Sequence, residues 1–525
     1  MSTAGSVALL VPELTLLVGA FVVLFAGLSR GSVGRGLVSP ITLIVVVVAL
    51  AASFGLRSVE GAGAPGLWVS ALTTYVRCIA LGVGGLLVLA NWHQPVSAER
   101  GEYMAMVLFS LLGVLLTASA NDLVVLFFSI ELVSVPTYVL VALSRKDRRA
   151  SEASLKYFFL GAMSAAILAY GLSFLYGAAG TTAMMRNVAG GSAPVLVGGA
   201  EGYRLIGLSL VLVGLAYKVA AVPFHAYAPD VYEGAASPVT GLLGFVPKLA
   251  GFVGLIRVFT ACGWDVPVPL MWGMWLMAAA TMTFGNVVAL LQQNVKRMLA
   301  YSSIAHTGYM LIALLVGPVA GAGPLKDGVA ALLFYMGVYG AMNLGAFAVL
   351  AVFSTRGREL EDMASLSGLA GRSPWGALAL AVCVFSLMGF PPTAGFIGKL
   401  YIFSSAFSLD GSHAFRGPLI ALAVIGVMNS AIAAAYYLRI VGAMYMQPAV
   451  GRATASRNVP LRWAVAVCAA GMLVLFVRPT ALSRPARNAT VALQGAVGSV
   501  GRRVAATRDG SAPVAAGVAP TLVGP

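Results

Sequence analysis

A small set of ionisable side chains stands inside stretches that are otherwise apolar, and each member can hold or pass a proton. Lys156, Lys218, Lys248 and Lys399 fall within or just inside such stretches, Glu131 lies near the middle of "LVVLFFSIELVSVPTYVLVAL", and His306 sits in "NVKRMLAYSSIAHTGYMLIALLVG". Only seven of the 33 basic residues are lysine, while arginine dominates the polar loops. The apolar positions therefore use the cation whose proton can be removed by desolvation, since arginine stays protonated. A charged side chain at mid-membrane costs roughly 2.5–3.5 kcal/mol on insertion scales, so these lysines need partners or internal water. Glu131 is the one central carboxylate. Beside Lys156 or Lys218 it would hold a proton on the lysine, and separation of the pair would favour release, which makes a switchable proton site. Snorkelling or a static ion pair is the plainer alternative. It suits Lys156, close to the start of its stretch, better than Lys218.

Helix breakers accompany the lysines. Pro223, in "YKVAAVPFHAYAPDVYEGAASPVTG", has no N–H for the carbonyl of Val219, so a helix through Lys218 must kink or open just beyond it. Inside lipid a freed carbonyl is tolerated only where protein or a water-filled cavity receives it. His225 could extend such a path as a relay, or serve as a static hydrogen-bonded histidine. In "SLMGFPPTAGFIGKLYIFSSAF", Pro391 and Pro392 remove bonds to Leu387 and Met388, with Gly389, Gly395 and Gly398 loosening the backbone and Lys399 two turns beyond.

The elements that must position these groups follow from composition. Of 525 residues 59% are hydrophobic and 10% charged, against roughly 25% charged in soluble domains. Apolar runs long enough to cross a hydrocarbon core of roughly 30 Å as helices recur throughout. About fourteen are expected, near 7–28, 37–57, 71–91, 103–119, 121–143, 154–178, 203–223, 238–262, 269–291, 297–317, 328–354, 374–408, 417–446 and 460–477. No ten-residue alternation of the transmembrane-barrel kind appears. The reading is an all-α polytopic membrane protein.

The broken seventh and twelfth spans are five apart, which suggests two inverted five-helix repeats, spans 4–8 and 9–13. Residues 1–100 then hold spans 1–3, 101–265 the first repeat, 266–447 the second, 448–480 span 14, and 481–525 a tail expected to be disordered. Glu131 and His306 occupy corresponding spans. Loops after odd-numbered spans carry about 15 Lys/Arg and the others about 5, which places both termini outside. The +15 formal charge is thus a matter of topology, not of nucleic-acid binding. The amino terminus lacks a basic n-region and a cleavage site, so the first span is expected to be retained. Cys78, Cys262, Cys383 and Cys468 are scattered singly, without iron–sulfur or zinc spacing, and no P-loop or dinucleotide fingerprint occurs.

"KVAAVPFHAYAPDVYEGAASPVTGLLGFVPKLAGF", "QQNVKRMLAYSSIAHTGYML" and "SLMGFPPTAGFIGKLYIF" closely resemble signature stretches of the antiporter-like membrane subunits of respiratory complex I, over roughly residues 100 to 445. The resemblance implies the two inverted repeats and broken helices 7 and 12. It implies Glu131 and Lys218 as the pair of a first half-channel, Lys248 as a central connecting lysine, Lys399 as the residue of a second half-channel, and His306 between the last two. The tail is too short for the long lateral helix of the L type. The M type carries glutamate where this chain has Lys399, so a third type is implied. By the same resemblance NADH, flavin and iron–sulfur clusters belong to partner subunits. The neighbours would be M-type and small K-type membrane subunits with lipid, in a bacterial inner membrane.

Two rival readings share these residues. A subunit of a multisubunit cation/proton antiporter has the same fold and lysines, and differs in its partners. A membrane scaffold would use the ion pairs only to hold helices, but gains nothing from opening backbone hydrogen bonds in lipid. Glu13, Arg77, Arg257 and Arg439, near span ends, read as snorkelling or as contacts with headgroups or another subunit.

Overall fold

The computed structural model describes residues 7–29, 32–56, 61–94, 99–188, 191–197, 201–319, 324–355, 358–359, 361–409, 415–449, 454–456, 458–491 and 493. The described chain is almost entirely helical. Three helices come first: α1 (Val11–Gly27), α2 (Ser32–Gly55) and α3 (Ala71–Ala90). Then follow α4 (Arg100–Ser119), α5 (Leu123–Ser144), α6 (Arg148–Ala179), α7 (Glu201–Lys218), the short α8 (Ala228–Gly234) and α9 (Ser237–Ala261). The second half holds α10 (Val268–Leu291), α11 (Val295–Val316), α12 (Gly328–Val352), the four-residue α13 (Leu369–Arg372), α14 (Pro374–Met388), α15 (Ala394–Ser405), α16 (Arg416–Met446) and α17 (Val459–Val477). Among the described residues, eleven helices are long and apolar enough to cross a membrane, and α1 and α14 are shorter apolar helices. This is a multi-pass membrane protein.

Polar side chains set where helices begin. Asp122 accepts from the amides of Val124 and Val125 at the start of α5, Asp147 from Ala150 at α6, Asn294 from Arg297 at α11, Asp327 from Ala330 at α12 and Asn458 from Leu461 at α17. Ser70 and Thr73 form a reciprocal capping box at α3. Each satisfies amides that the first helical turn leaves without partners, which lets a helix end near the membrane surface without exposed donors. Short antiparallel β-hairpins, such as Met185–Val188 with Gly191–Pro194, close some of the loops.

Helix α9 is buried along its whole length and α11 and α12 nearly so, whereas α2, α6, α10, α16 and α17 leave much of their surface open. The open surface is apolar, with Phe128, Phe159, Leu276 and Leu291 all well exposed, as lipid-facing helices require. Helix α6 packs along α7, α10 along α11, and α12 against α9, α14, α15 and α17. The buried trio α9, α11 and α12 is therefore the axis around which the other helices are laid.

Several charges expected at headgroups are instead internal fasteners. Arg77 of α3 is fully buried and donates through Nε and Nη2 to both carboxylate oxygens of Glu13 in α1, each at 2.8 Å, and to the Leu9 carbonyl at 3.0 Å. Arg257 of α9 donates to Thr73 Oγ1 at 3.0 Å and to the carbonyl of Ala118. Arg439 of α16 donates to the Leu290 and Gln292 carbonyls at the end of α10. The tail also departs from expectation. Residues 480–491 form a further helix, with Ser483, Ala486, Ala489 and Thr490 buried and Leu482 against Gly337 of α12. The apolar spacing 482, 486, 489 and 493 follows a helical period that the arginines of this segment obscure. The rest of the tail lies outside the described residues.

Removing one member of a buried ion pair strands the other charge, at a cost of about 3–5 kcal/mol, while replacing both by apolar groups is often close to neutral. Glu13→Leu should therefore lower the thermal midpoint of the solubilised protein sharply, and the double change Glu13→Leu with Arg77→Leu should recover most of the loss. Equal midpoints for the single and double variants would contradict this role of the pair.

Candidate functional site

The helix that carries Lys218 stops at that residue. The Ala221 amide donates to the Ala216 carbonyl at 2.8 Å and the Ala220 amide to that of Tyr217 at 3.0 Å, with Ala220 in the left-handed region at φ +57°. This is the six-to-one, five-to-two closure that ends many helices, built on alanine where glycine is usual. The left-handed conformation costs a residue with a Cβ about 1–2 kcal/mol. Beyond the turn, the Val222 amide donates to Thr281 Oγ1 of α10 at 3.0 Å. Pro223 leaves the Val219 carbonyl without its helical donor. Thr307 of α11 supplies one, its hydroxyl reaching Val219 O at 2.6 Å.

Thr307 Oγ1 in turn accepts from Lys248 Nζ at 2.7 Å, and the same ammonium donates to the Ser303 carbonyl. On the other side of the break, Lys218 Nζ donates to Glu131 Oε1 at 3.0 Å and to Ser134 Oγ at 2.7 Å. Lys218 and Lys248 are both buried. They are joined by one peptide unit, a carbonyl and a hydroxyl. The approach of α7 to α9 depends on Gly251, where a Cβ would lie 2.6 Å from Val219 Cγ1.

The second interruption repeats this closure. The Phe390 amide donates to the Phe385 carbonyl at 3.0 Å, the Gly389 amide to that of Ser386 at 3.1 Å, and Gly389 has φ +82°. Pro392 frees the carbonyl of Met388, and here the lysine itself answers it, with Lys399 Nζ donating to Met388 O at 2.8 Å. Gly389 is needed twice over. Its φ disfavours other residues, and a Cβ there would stand 2.7 Å from Lys399 Cδ. The Lys399 ammonium also lies 4.8 Å from the centre of the Tyr309 ring, within cation–π range.

His306 occupies the ground between Lys248 and Lys399. Its Nδ1 is 2.6 Å from Tyr335 Oη and its Nε2 3.1 Å from Tyr437 Oη, so either tautomer finds a donor and an acceptor. Tyr339 donates to Ser303 Oγ at 2.8 Å and its ring centre lies 5.3 Å from that of His306. Tyr335 packs against Gly398, next to Lys399. Glu131, Lys218, Lys248, His306 and Lys399 are thus carried on α5, α7, α9, α11 and α15, with hydroxyl groups beside Lys218, Lys248 and His306 and the Tyr309 ring beside Lys399.

Lys156 and His225 stand apart from these residues. Helix α6 begins six residues before the expected 154, so Lys156 lies in its third turn, 43% exposed, pairing with Glu152 at 2.8 Å and Asp230 at 2.9 Å. The partner of Glu131 is Lys218 alone of the two lysines considered. His225 packs edge-on against Phe284 of α10, and its buried Nδ1 has no hydrogen-bond partner. Among the described residues it makes no hydrogen bond to Lys218, because the turn at Ala220 redirects the chain before it.

Sequence reading passed over the hydroxyl residues that join the ionisable ones: Ser134, Ser303, Thr307, Tyr335, Tyr339 and Tyr437. A signal existed. Ser303, His306 and Thr307 share a face of α11 at i, i+3 and i+4, and Tyr335 and Tyr339 share one of α12. It also passed over Lys296, fully buried, whose ammonium reaches the carbonyls of Glu233 and Ala235 at the end of α8 and lies 3.7 Å from Glu361. Beside it Arg297 pairs with Asp230 and Glu233, each at 2.8 Å. These bonds hold the far side of the first break in place.

Interrupted helices whose loose ends meet buried, ionisable side chains define a class of ion-translocating membrane proteins. The family model described as NADH:quinone oxidoreductase/Mrp antiporter, transmembrane, matches residues 120–432. NADH-quinone oxidoreductase subunit N of Trichlorobacter lovleyi is 38% identical over 491 residues, 91% of this chain and 96% of the relative. A chain of respiratory complex I from Thermus thermophilus superposes with TM-score 0.73 at 32% identity, over 89% of this chain and 97% of that one. A chain of the Mrp complex from Dietzia sp. shares the fold, with TM-score 0.77 at 20% identity, over 95% of this chain and 100% of that one. This chain belongs to the NADH:quinone oxidoreductase/Mrp antiporter family.

Thr307→Val keeps the shape of the side chain but strands both the Val219 carbonyl and one Lys248 proton. An unmet buried polar group costs about 1–3 kcal/mol. Amide exchange across 219–227 should accelerate about tenfold in Thr307→Val and stay near wild type in Thr307→Ser. Unchanged exchange in the valine variant would show that the hydroxyl does not hold the break.

Proposed function

We propose that this chain is the N-type, antiporter-like subunit of a proton-translocating NADH:quinone oxidoreductase, carrying the transmembrane proton step while electron transfer from NADH to quinone takes place in partner subunits. The observation that carries the reading is that two hydrogen-bonded groups, Glu131 with Lys218 and Ser134, and Lys248 with Thr307 and Ser303, meet at the same helix break, where Thr307 bonds the carbonyl next to Lys218. Every ammonium there has an acceptor that can be exchanged for water or for another hydroxyl.

A proton held on Lys218 is stabilised by Glu131 and Ser134. Withdrawing the carboxylate leaves a desolvated cation whose proton is then favoured to leave. Lys248 is the next acceptor along the line. Beyond it, Tyr339, His306 and Tyr335 lead toward Lys399 by rotation of hydroxyl groups and by the two faces of the imidazole, with bound water bridging the remaining distance. Lys156 serves the surface network with Asp230, and His225 lines the periphery of the break, so both contribute to access more than to the buried line.

Fourteen spans arranged as two inverted five-helix repeats, α4–α9 and α10–α16, fit the element order. The equivalent closures at Ala220 and Gly389, each followed three residues later by a proline, support that pairing. The charge bias of the loops supports termini on the external side of a bacterial plasma membrane. Flavin and iron–sulfur clusters are assigned to other subunits, and M-type and small K-type membrane subunits are the neighbours. The second reading, a subunit of a cation/proton antiporter, is favoured only by the breadth of the family and by the fold shared with the Mrp chain. Co-purification with flavin and iron–sulfur proteins selects the first.

In the assembled complex, Lys218→Ala and Glu131→Ala should each lower proton pumping and coupled NADH oxidation by an order of magnitude or more, within the range that positioned proton carriers contribute. Lys399→Met should do the same, while Lys399→Arg, which keeps the charge but not the removable proton, should not restore pumping. Wild-type pumping in any of the three neutralising variants would defeat the assignment for that residue.

A further inference from the structure

A cleft of about 520 Å³ lies between the end of α12, the start of α14 and the outer face of α17. Its walls are Val, Leu, Ala, Phe, Gly and Trp side chains, with Val349, Val382, Ala469 and Leu473 along its length. The polar side chains lining it are Arg462 and Ser373. The Arg462 guanidinium has no hydrogen-bond or ion-pair partner among the described residues. Trp375 and Trp463, 82% and 63% exposed, flank the same end. Tryptophan and arginine together mark the headgroup level of a membrane.

The dimensions select the occupant. The lining residues of α17 run from Arg462 to Leu473 on one stripe, twelve residues spanning about 16 Å of helix. One leaflet of hydrocarbon is about 15 Å deep, half the bilayer core. A transmembrane helix of a neighbour would need a seat through both leaflets, about 30 Å, roughly twice the length of this stripe. Its length matches an acyl chain whose headgroup stands at Arg462.

We propose that this cleft is a binding site for one anionic phospholipid, with its phosphate on Arg462 and the Ser373 hydroxyl and one acyl chain laid along the alanines of α17. The uncompensated guanidinium of Arg462 gives the site a positive field that a zwitterionic headgroup neutralises only in part. The site is separate from the buried line of lysines and does not rest on its function. It places a lipid where α12, α14 and α17 meet.

The test uses the whole complex in phosphatidylcholine vesicles doped with photoreactive phosphatidylglycerol or, separately, photoreactive phosphatidylcholine. Phosphatidylglycerol should label peptides within 374–382 and 462–473 more strongly than phosphatidylcholine does. Arg462→Gln should reduce phosphatidylglycerol labelling about fivefold and leave phosphatidylcholine labelling and NADH oxidation unchanged, with Arg462→Lys restoring most of the signal. Ala469→Phe, which fills the cleft floor, should abolish labelling by both lipids. Equal labelling by the two lipids in the wild type, or undiminished labelling in both Arg462→Gln and Ala469→Phe, would overturn the proposal. So would a photoreactive residue placed at Ala466 that captures another protein chain instead of lipid.

Discussion

A peptide carbonyl freed of its helical donor inside a membrane has no water to turn to, and the interior of this protein is organised around meeting that demand twice. Leaving such a group unmet costs several kcal/mol in a hydrocarbon setting. At the first break Thr307 meets it and draws Lys248 behind it. At the second Lys399 meets it directly. The prolines therefore decide where the lysines stand, and the ionisable groups are part of the backbone's hydrogen bonding.

That demand explains the burial pattern. The groups that answer the first break, Thr307 and Lys248, are carried by α11 and α9, two of the three most enclosed helices, while the second is answered from α15, which packs against the third, α12. A polar interior of this kind would loosen a bundle held by apolar packing alone. Arg77 with Glu13, and Arg257 with Thr73 and Ala118, fasten α1, α3, α4 and α9 around it at points where the surrounding side chains exclude solvent.

The ends of the apolar stretches were legible because composition changes abruptly there, and the prolines marked both interruptions. Lys218 with Glu131 was legible too, since a lone central carboxylate and a deeply placed lysine have few other uses. The hydroxyl residues were not. Serine, threonine and tyrosine occur throughout apolar helices, often bonding a carbonyl one turn back, as Thr117 does to Gly113, so their type alone carries little information. Lys156 misled for a different reason: α6 is 32 residues long, far more than the membrane requires, and a lysine eight residues in can still reach the surface. Lys296 was hidden by standing beside Arg297 in what reads as an ordinary basic loop.

Ala220 carries a consequence beyond ending a helix. By folding the chain back at once, it leaves Lys218 and the Val219 carbonyl on adjacent links of a rigid turn, so that two buried cations are connected through covalent geometry instead of through diffusing water. A shift of the backbone at this turn would therefore move the Val219 carbonyl against the hydroxyl that Lys248 holds. Lys399 has no such tether to either of them. Between the halves stand His306 and the phenols of Tyr335 and Tyr437, whose hydrogen bonds can be exchanged by rotation alone.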